Sequence, residues 1–384
     1  MDMESESSGE LYVYRNNQRL RCGHTTGSCA TAAAKAATLM LLSRKSINEI
    51  SITTTKGTVL NLPVLDVKIS ENSASCAVKK DGGDDIDATH GALVYAEISL
   101  TDGGLEIDGG EGVGRVTKKG LDQPVGNAAI NSVPRQTISQ AVKDACNLHG
   151  YDGGIKVTIS VPKGEQIAEK TFNPRLGIVG GISIIGTSGI VEPMSQEALV
   201  ETIRTEMKMR IANGSSVILA VPGNYGEDFS QTICSVPTEQ MVKCSNFIGE
   251  TIDGAVEFGA EGLLFISNIG KFVKVAGGIM NTHSKNADSR MEILTAHAAL
   301  AGADNDILLK IMNSVTTEDA LDILSENDLL QPVMRSITDK INFYLNNRAK
   351  GQILTGAIIF SSNYGLLGET ENAGKLLKIL EDSL

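Results

Sequence analysis

The stretch Asn173–Ser195 reads NPRLGIVGGISIIGTSGIVEPMS. Two glycine-bearing turns, Val179-Gly180-Gly181 and Gly186-Thr187-Ser188-Gly189, flank the β-branched run Ile182–Ile185. Glycine admits positive φ and, lacking Cβ, lets a second backbone or a ligand come close. Pro193 and Ser195 then open a helical pattern with Glu197 in its first turn. The order is turn, buried strand, turn, helix start, and the unpaired N–H groups of such a helix start suit a carboxylate or another anion. The competing reading is a hinge between two domains with nothing bound.

Working outward, 384 residues exceed one typical core, so two domains are expected. The divisions predicted are an acidic disordered tail over 1–17, an N-terminal α+β domain over 18–172 and a C-terminal α/β domain over 173–384. A net charge of -12 and a pI near 5.0 argue against nucleic acid, which needs clustered Lys and Arg. Mean hydropathy is -0.01 and no apolar run reaches the roughly 20 residues of a membrane helix. Met1–Glu10 is polar and acidic, unlike a secretory or transit segment, so a cytoplasmic protein is expected. The six cysteines, at 22, 29, 76, 146, 234 and 244, form no CxxC pair and read as reduced thiols.

In the first half, Leu11–Leu20 reads as a strand. RCGHTTGSCA, residues 21–30, opens an alanine-rich helix to about Leu42, its start crowded with the capping hydroxyls of Thr25, Thr26 and Ser28. Alanine at 30, 32, 33, 34, 36 and 37 makes that helix thin enough to lie close against a sheet or a flat ligand. Strand patterns follow over 50–54, 58–69, 74–78 and 92–100. Between the last two lies DGGDDIDATH, residues 81–90, whose four carboxylates and histidine suggest a hard-cation loop, although an exposed acidic turn is the commoner outcome. A glycine-rich span over 103–120, an amphipathic helix from Pro134 to Leu148 and a strand over 155–161 lead back to the central stretch.

The second half alternates helix and strand: helix 195–211, strand 216–221, helix 237–258, strand 263–269 and helix 288–301, which implies parallel pairing. A helical region (305–348), a buried strand (353–360) and a last helix from Ala373 complete it. Ligands collect at the carboxyl ends of such strands, which singles out Pro222–Gly226 and Ser267–Lys271. Neither is a GxGxxG or P-loop motif, so a conventional dinucleotide or nucleotide site is not indicated. The densest polar cluster is Asn281, Thr282, His283, Ser284, Lys285, Asp288 and Arg290, ahead of a helix that needs one or two caps.

Taken together, Arg21–Lys35 (RCGHTTGSCATAAAK), Gly126–Arg135 (GNAAINSVPR), Asn173–Ser195 and Gly270–Arg290 resemble the CbiD family, the cobalt-precorrin-5B C1-methyltransferases of the anaerobic cobalamin pathway. The likeness runs from about residue 18 to the C-terminus. Two positions depart from the pattern: Ser28 replaces a threonine, and Asn268 stands where a histidine is expected. The resemblance implies methyl transfer from S-adenosylmethionine to C1 of a cobalt-bound tetrapyrrole, giving cobalt-precorrin-6A. An activated sulfonium methyl and an electron-rich ring need mainly alignment and exclusion of water. His283 is the expected base. S-adenosylmethionine is placed at Gly180, Gly181, Thr187, Gly223 and Asn224, on the strand-end rule. The tetrapyrrole, with its peripheral carboxylates, is assigned to Arg21, Thr25, Thr26, Ser28, Arg135, Arg175, Asn281, Thr282 and Arg290. No protein-bound metal is expected, because cobalt enters with the substrate. Other corrin-pathway enzymes and a second copy of the chain are further candidate partners. The competing classes are a non-catalytic tetrapyrrole carrier or assembly partner, and a phosphate-binding enzyme built on Thr25–Ser28.

Overall fold

The computed structural model describes residues 4–5, 11–223, 229 and 233–383, and the chain forms two compact α/β units, Met1–Ser195 and Gln196–Leu384.

In the first unit, Leu11–Arg15 and Gln18–Arg21 form an antiparallel hairpin around Asn16 and Asn17, both at positive φ, a region asparagine tolerates. The predicted tail over 1–17 is corrected here, since alternation buries Val13 and leaves Tyr14 exposed along a paired strand. A five-stranded sheet follows, in the order Leu105–Gly109, Gly154–Ser160, Leu93–Thr101, Ser73–Lys79, Leu65–Ile69, with only the first pair parallel. The alanine helix, Thr26–Ser43, lies against it with all six of the alanines named above fully buried. The small side chains bring the backbones together, and Cys76 Sγ donates to the Ala33 carbonyl across the gap. The helix Ser132–Leu148 packs alongside, joined by a hydroxyl pair between Thr31 and Thr137.

The boundary differs from the predicted one at 172/173. Ile178–Val179 pairs with Arg115–Val116, Gly181–Ile182 with Gly112–Val113, and Ile190–Val191 with Gly23–His24. Each short strand of the central stretch finds its backbone partner in a loop of the first half, so the stretch belongs to the first unit.

The second unit holds a sheet ordered Val242–Lys243, Val217–Val221, Gly262–Asn268, Leu354–Ser361, Gly365–Glu369, parallel except for the last strand. Both faces are covered, so its strands are continuously apolar. Leu219, Leu264, Ile266 and Ile358 meet the helix Ala373–Asp382 through Leu376 and Leu380. Ile218, Leu263, Phe265 and Ile359 join the core formed with helices Ile248–Glu257, Ile269–Ala276 and Leu330–Ala349. The helix expected over 237–258 is instead a short 3-10 turn, the edge strand and the helix from Ile248. No helix among the described residues is long and apolar enough to cross a membrane.

Candidate functional site

In the first unit the motif segments converge at the start of the alanine helix. Thr25 Oγ1 accepts the Ser28 N–H, Thr26 Oγ1 accepts the Ile185 N–H at 2.9 Å, and Ser28 Oγ donates to the Gly189 carbonyl at 2.7 Å. The Gly27 and Cys29 N–H groups donate to the carbonyls of Ile185 and Thr25. Asn131 N–H reaches the Ile184 carbonyl, and Ile184 N–H the Ala129 carbonyl. These partners use the Gly27 and Ser28 N–H groups and the hydroxyls that an anion would need, which weakens the phosphate-binding reading.

The glycines there are set by close neighbours, backbone at Gly181 and the Thr25 side chain at Gly186. A Cβ on Gly181 would lie 2.1 Å from the Gly112 oxygen, and one on Gly186 would lie 2.2 Å from Thr25 Oγ1. Gly180, at φ +83°, faces open space, and Thr187 is exposed. The motif arginines are engaged within the protein. Arg21 makes a bidentate pair with Asp81, Arg135 donates to the carbonyls of Ile107, Ala128 and Ile130, and Arg290 grips Asp288. Arg175 sits half-buried in the turn before Ile178.

The acidic loop is also internally satisfied. The Arg21 guanidinium holds the Asp81 carboxyl far below the usual carboxylate range. Burial pushes Asp87 up, but its 2.7 Å bond to the buried Lys80 ammonium, together with Thr89, leaves it low. Among the described residues, no three His, Cys, Asp or Glu side chains are grouped to hold a metal ion.

In the second unit the polar residues gather at the carboxyl ends of the parallel strands. Gly223, at φ +92°, follows Val217–Val221. Asn268 ends the next strand and caps the following helix by accepting the Gly270 N–H at 2.8 Å. This gives the side chain at the departing position a structural task. Lys271, one turn on, is half-buried and extends Nζ toward the Ser245 carbonyl at 3.4 Å.

The turn containing Ser245 and Asn246 links this edge to the polar loop. Thr282 N–H donates to the Asn246 carbonyl, and Asn281 forms a bridge with Phe247. Lys274, 1% exposed, holds that loop from beneath, donating to the Thr282 carbonyl at 3.1 Å and Ser284 Oγ at 2.9 Å, with Asp288 3.5 Å away. Burial pushes its ammonium pKa down. His283 is exposed, and its Nδ1 accepts the Lys285 N–H. A neutral ring in that arrangement carries its proton on Nε2, so it presents a donor outward.

The structure therefore brings Gly223, Asn281 and Thr282 onto one strand-end edge, with His283 just beyond. Gly180, Gly181 and Thr187 lie in the other unit, and Asn224 falls outside the described residues. Lys271, Ser245 and Asn246 were not picked out individually by sequence reasoning. The legible signal for Lys271 was a lysine just past a buried strand whose helical neighbours, Ser267, Asn268, Lys274 and Val275, include no carboxylate.

Fold and site together describe a two-unit α/β protein with polar residues gathered at the carboxyl ends of parallel strands, the usual position of a small-molecule site. Residues 13–193 match the CbiD family and residues 281–371 its C-terminal domain. A cobalt-precorrin-5B C(1)-methyltransferase of Ruminiclostridium cellulolyticum is 49% identical over 92% of both chains. Another so named, from Alkaliphilus metalliredigens, is 46% identical over 97% of this chain and 98% of its own. The crystal structure of the cobalamin biosynthesis protein CbiD from Archaeoglobus fulgidus is 27% identical, covering 73% of this chain and 87% of that one, with a TM-score of 0.40. The chain belongs to the CbiD family.

Proposed function

We propose that this protein methylates C1 of cobalt-precorrin-5B, giving cobalt-precorrin-6A on the anaerobic route to cobalamin. The observation that carries the reading is the 49% identity, running along nearly the whole of both chains, to a relative named for that reaction. When bound, S-adenosylmethionine supplies an activated methyl group. We place its amino-acid end at the second-unit strand-end edge beside Gly223, a positive-φ glycine whose added Cβ would lie 3.3 Å from Lys271 Nζ, on the rule that ligands of open α/β sheets sit at strand ends. Gly181 drops out of that role, because its missing Cβ accommodates Gly112.

We assign the carboxylate-rich tetrapyrrole to the edge at Asn281, beside buried Thr282, and to the arginines of the family-like motifs, which would have to exchange internal partners for substrate. His283 is proposed to handle the proton of the methylated ring. To accept it at Nε2, the imidazole must switch tautomer and release the Lys285 N–H.

The test is to supply cobalt-precorrin-5B and methyl-labelled S-adenosylmethionine to the purified protein. Label is expected in the corrinoid product, with kcat lowered about 100- to 10,000-fold in His283→Ala. Binding of the macrocycle without transfer of label would replace this reading with the carrier.

A further inference from the structure

We infer that Lys271 is the anchor for a ligand carboxylate, that of the amino-acid end of the methyl donor. The inference rests on the methyl-transfer reading and adds the residue that recognises the donor. Three observations support it.

Sheet topology is the first. From Val217–Val221 the chain moves to the neighbour on one side, Val242–Lys243, and then crosses to the other side, Gly262–Asn268. The order reverses between Val217–Val221 and Gly262–Asn268, and ligands of open α/β sheets lie in the crevice at such a point. Gly223 follows one of these strands and Lys271 the other.

The second is the state of the lysine. Among the described residues the buried cations have carboxylates: Lys80 has Asp87, Arg210 has Glu206, and Lys274 has Asp288. Half-buried Lys271 has only the long contact to the Ser245 carbonyl, and no carboxylate among the described residues pairs with it. Burial pushes its ammonium pKa down, the Cys244 thiol opposes this, and Lys274 adds to it. A partly desolvated charge without a counter-ion is costly, and an anionic ligand group removes that cost.

The third is Gly223. A Cβ there would lie 3.3 Å from Lys271 Nζ, so glycine is the residue that does not crowd the ammonium. The neighbouring strand end is closed instead: Glu318 accepts from Ser361 Oγ at 2.6 Å and from the Ser362 N–H. The carboxylate could belong to the methyl donor or to the rim of the macrocycle, and binding measurements separate these sources.

Calorimetry would compare S-adenosylhomocysteine, which keeps the amino-acid end, with 5′-methylthioadenosine, which lacks the carboxylate. For Lys271→Met, S-adenosylhomocysteine affinity is expected to fall roughly 10- to 100-fold while methylthioadenosine affinity changes less than about twofold. Lys271→Arg, keeping the charge, should retain most of the difference. The Met variant should melt no lower than wild type, since it removes an uncompensated charge.

Equal losses for both ligands, or a lowered melting temperature, would overturn the assignment in favour of a structural lysine. Unchanged S-adenosylhomocysteine binding with weakened tetrapyrrole binding would overturn it in favour of the macrocycle. Wild-type protein that binds no S-adenosylhomocysteine, with or without corrinoid, would reject the methyl-transfer reading itself.

Discussion

The alanine-helix start in the first unit and the strand-end edge in the second have similar compositions, both mixing glycine, small hydroxyls, asparagine and a nearby cation. Their structures are opposite. At Thr25–Ser28 the hydroxyls and N–H groups are used by one another and by residues 185–189, and the glycines let neighbouring chain come close. At Gly223 and Lys271 the glycine spares an ammonium that has one long contact from being crowded by a side chain. Composition marks places where chain comes close to something. Whether that something is another backbone or a ligand depends on what the rest of the chain puts there.

The largest expected effect tests the closed region. Gly181→Val sets a Cβ against the Gly112 carbonyl with backbone on both sides, so neither can yield cheaply. A loss of about 3 kcal/mol or more is expected in urea unfolding of the intact chain. Gly180→Ala, one residue away and facing open space, should cost about 1 kcal/mol through its positive φ alone. A Gly181→Val protein with normal stability but impaired ligand binding would break the comparison, because the junction would then be a ligand site.

Next in size is the contrast between the two lysines of one short helix. Lys274→Met leaves the Thr282 carbonyl, Ser284 Oγ and Asp288 without their shared ammonium, and about 2 kcal/mol should be lost, with kcat falling as the polar loop loosens. Lys271→Met should leave stability unchanged or slightly raised. Equal destabilisation by both substitutions would remove the distinction between a lysine that holds a loop and one that awaits a ligand.

The smallest effects are in pH. Asp81 and Asp87 have folded pKa values below their unfolded ones, so they stabilise the fold above the unfolded value of about 3.9. That contribution is lost as the pH falls through the lower folded values, and Asp81→Asn should flatten the acid limb. Lys271 is also lowered, with Cys244 and Lys274 as its charged or titratable neighbours, but here the charged form is the penalised one. Its penalty is full at neutral pH and fades as the pH rises toward the unfolded value of about 10.4. The stability advantage of Lys271→Met should therefore shrink at alkaline pH, and an advantage that grew would reverse the sign.

Much of the fold was legible because its signals are local. The alanine helix, the helices from Ser132, Gln196 and Ala373, and the buried strands follow from periodicity and composition. The strand Val242–Lys243 escaped notice because two residues at a sheet edge leave no pattern. The helix Ile269–Ala276 was hidden because one apolar run passes from strand to helix with Asn268 alone marking the change. In the site, His283, Asn281 and Thr282 stood out as a polar surplus, whereas the need of Lys271 for a partner appears only once the groups around its ammonium are known.

The sequence by itself determined two α/β cores, the elements that build them and the family to which the chain belongs, because hydrophobic periodicity, helix capping and ordered motifs are carried by neighbouring residues. Tertiary structure alone decided that the central glycine stretch closes the first unit and that the second sheet reverses its order beside Lys271. Both depend on pairing between residues far apart in the chain, such as Gly181 with Gly112, and on which buried charges have acquired partners.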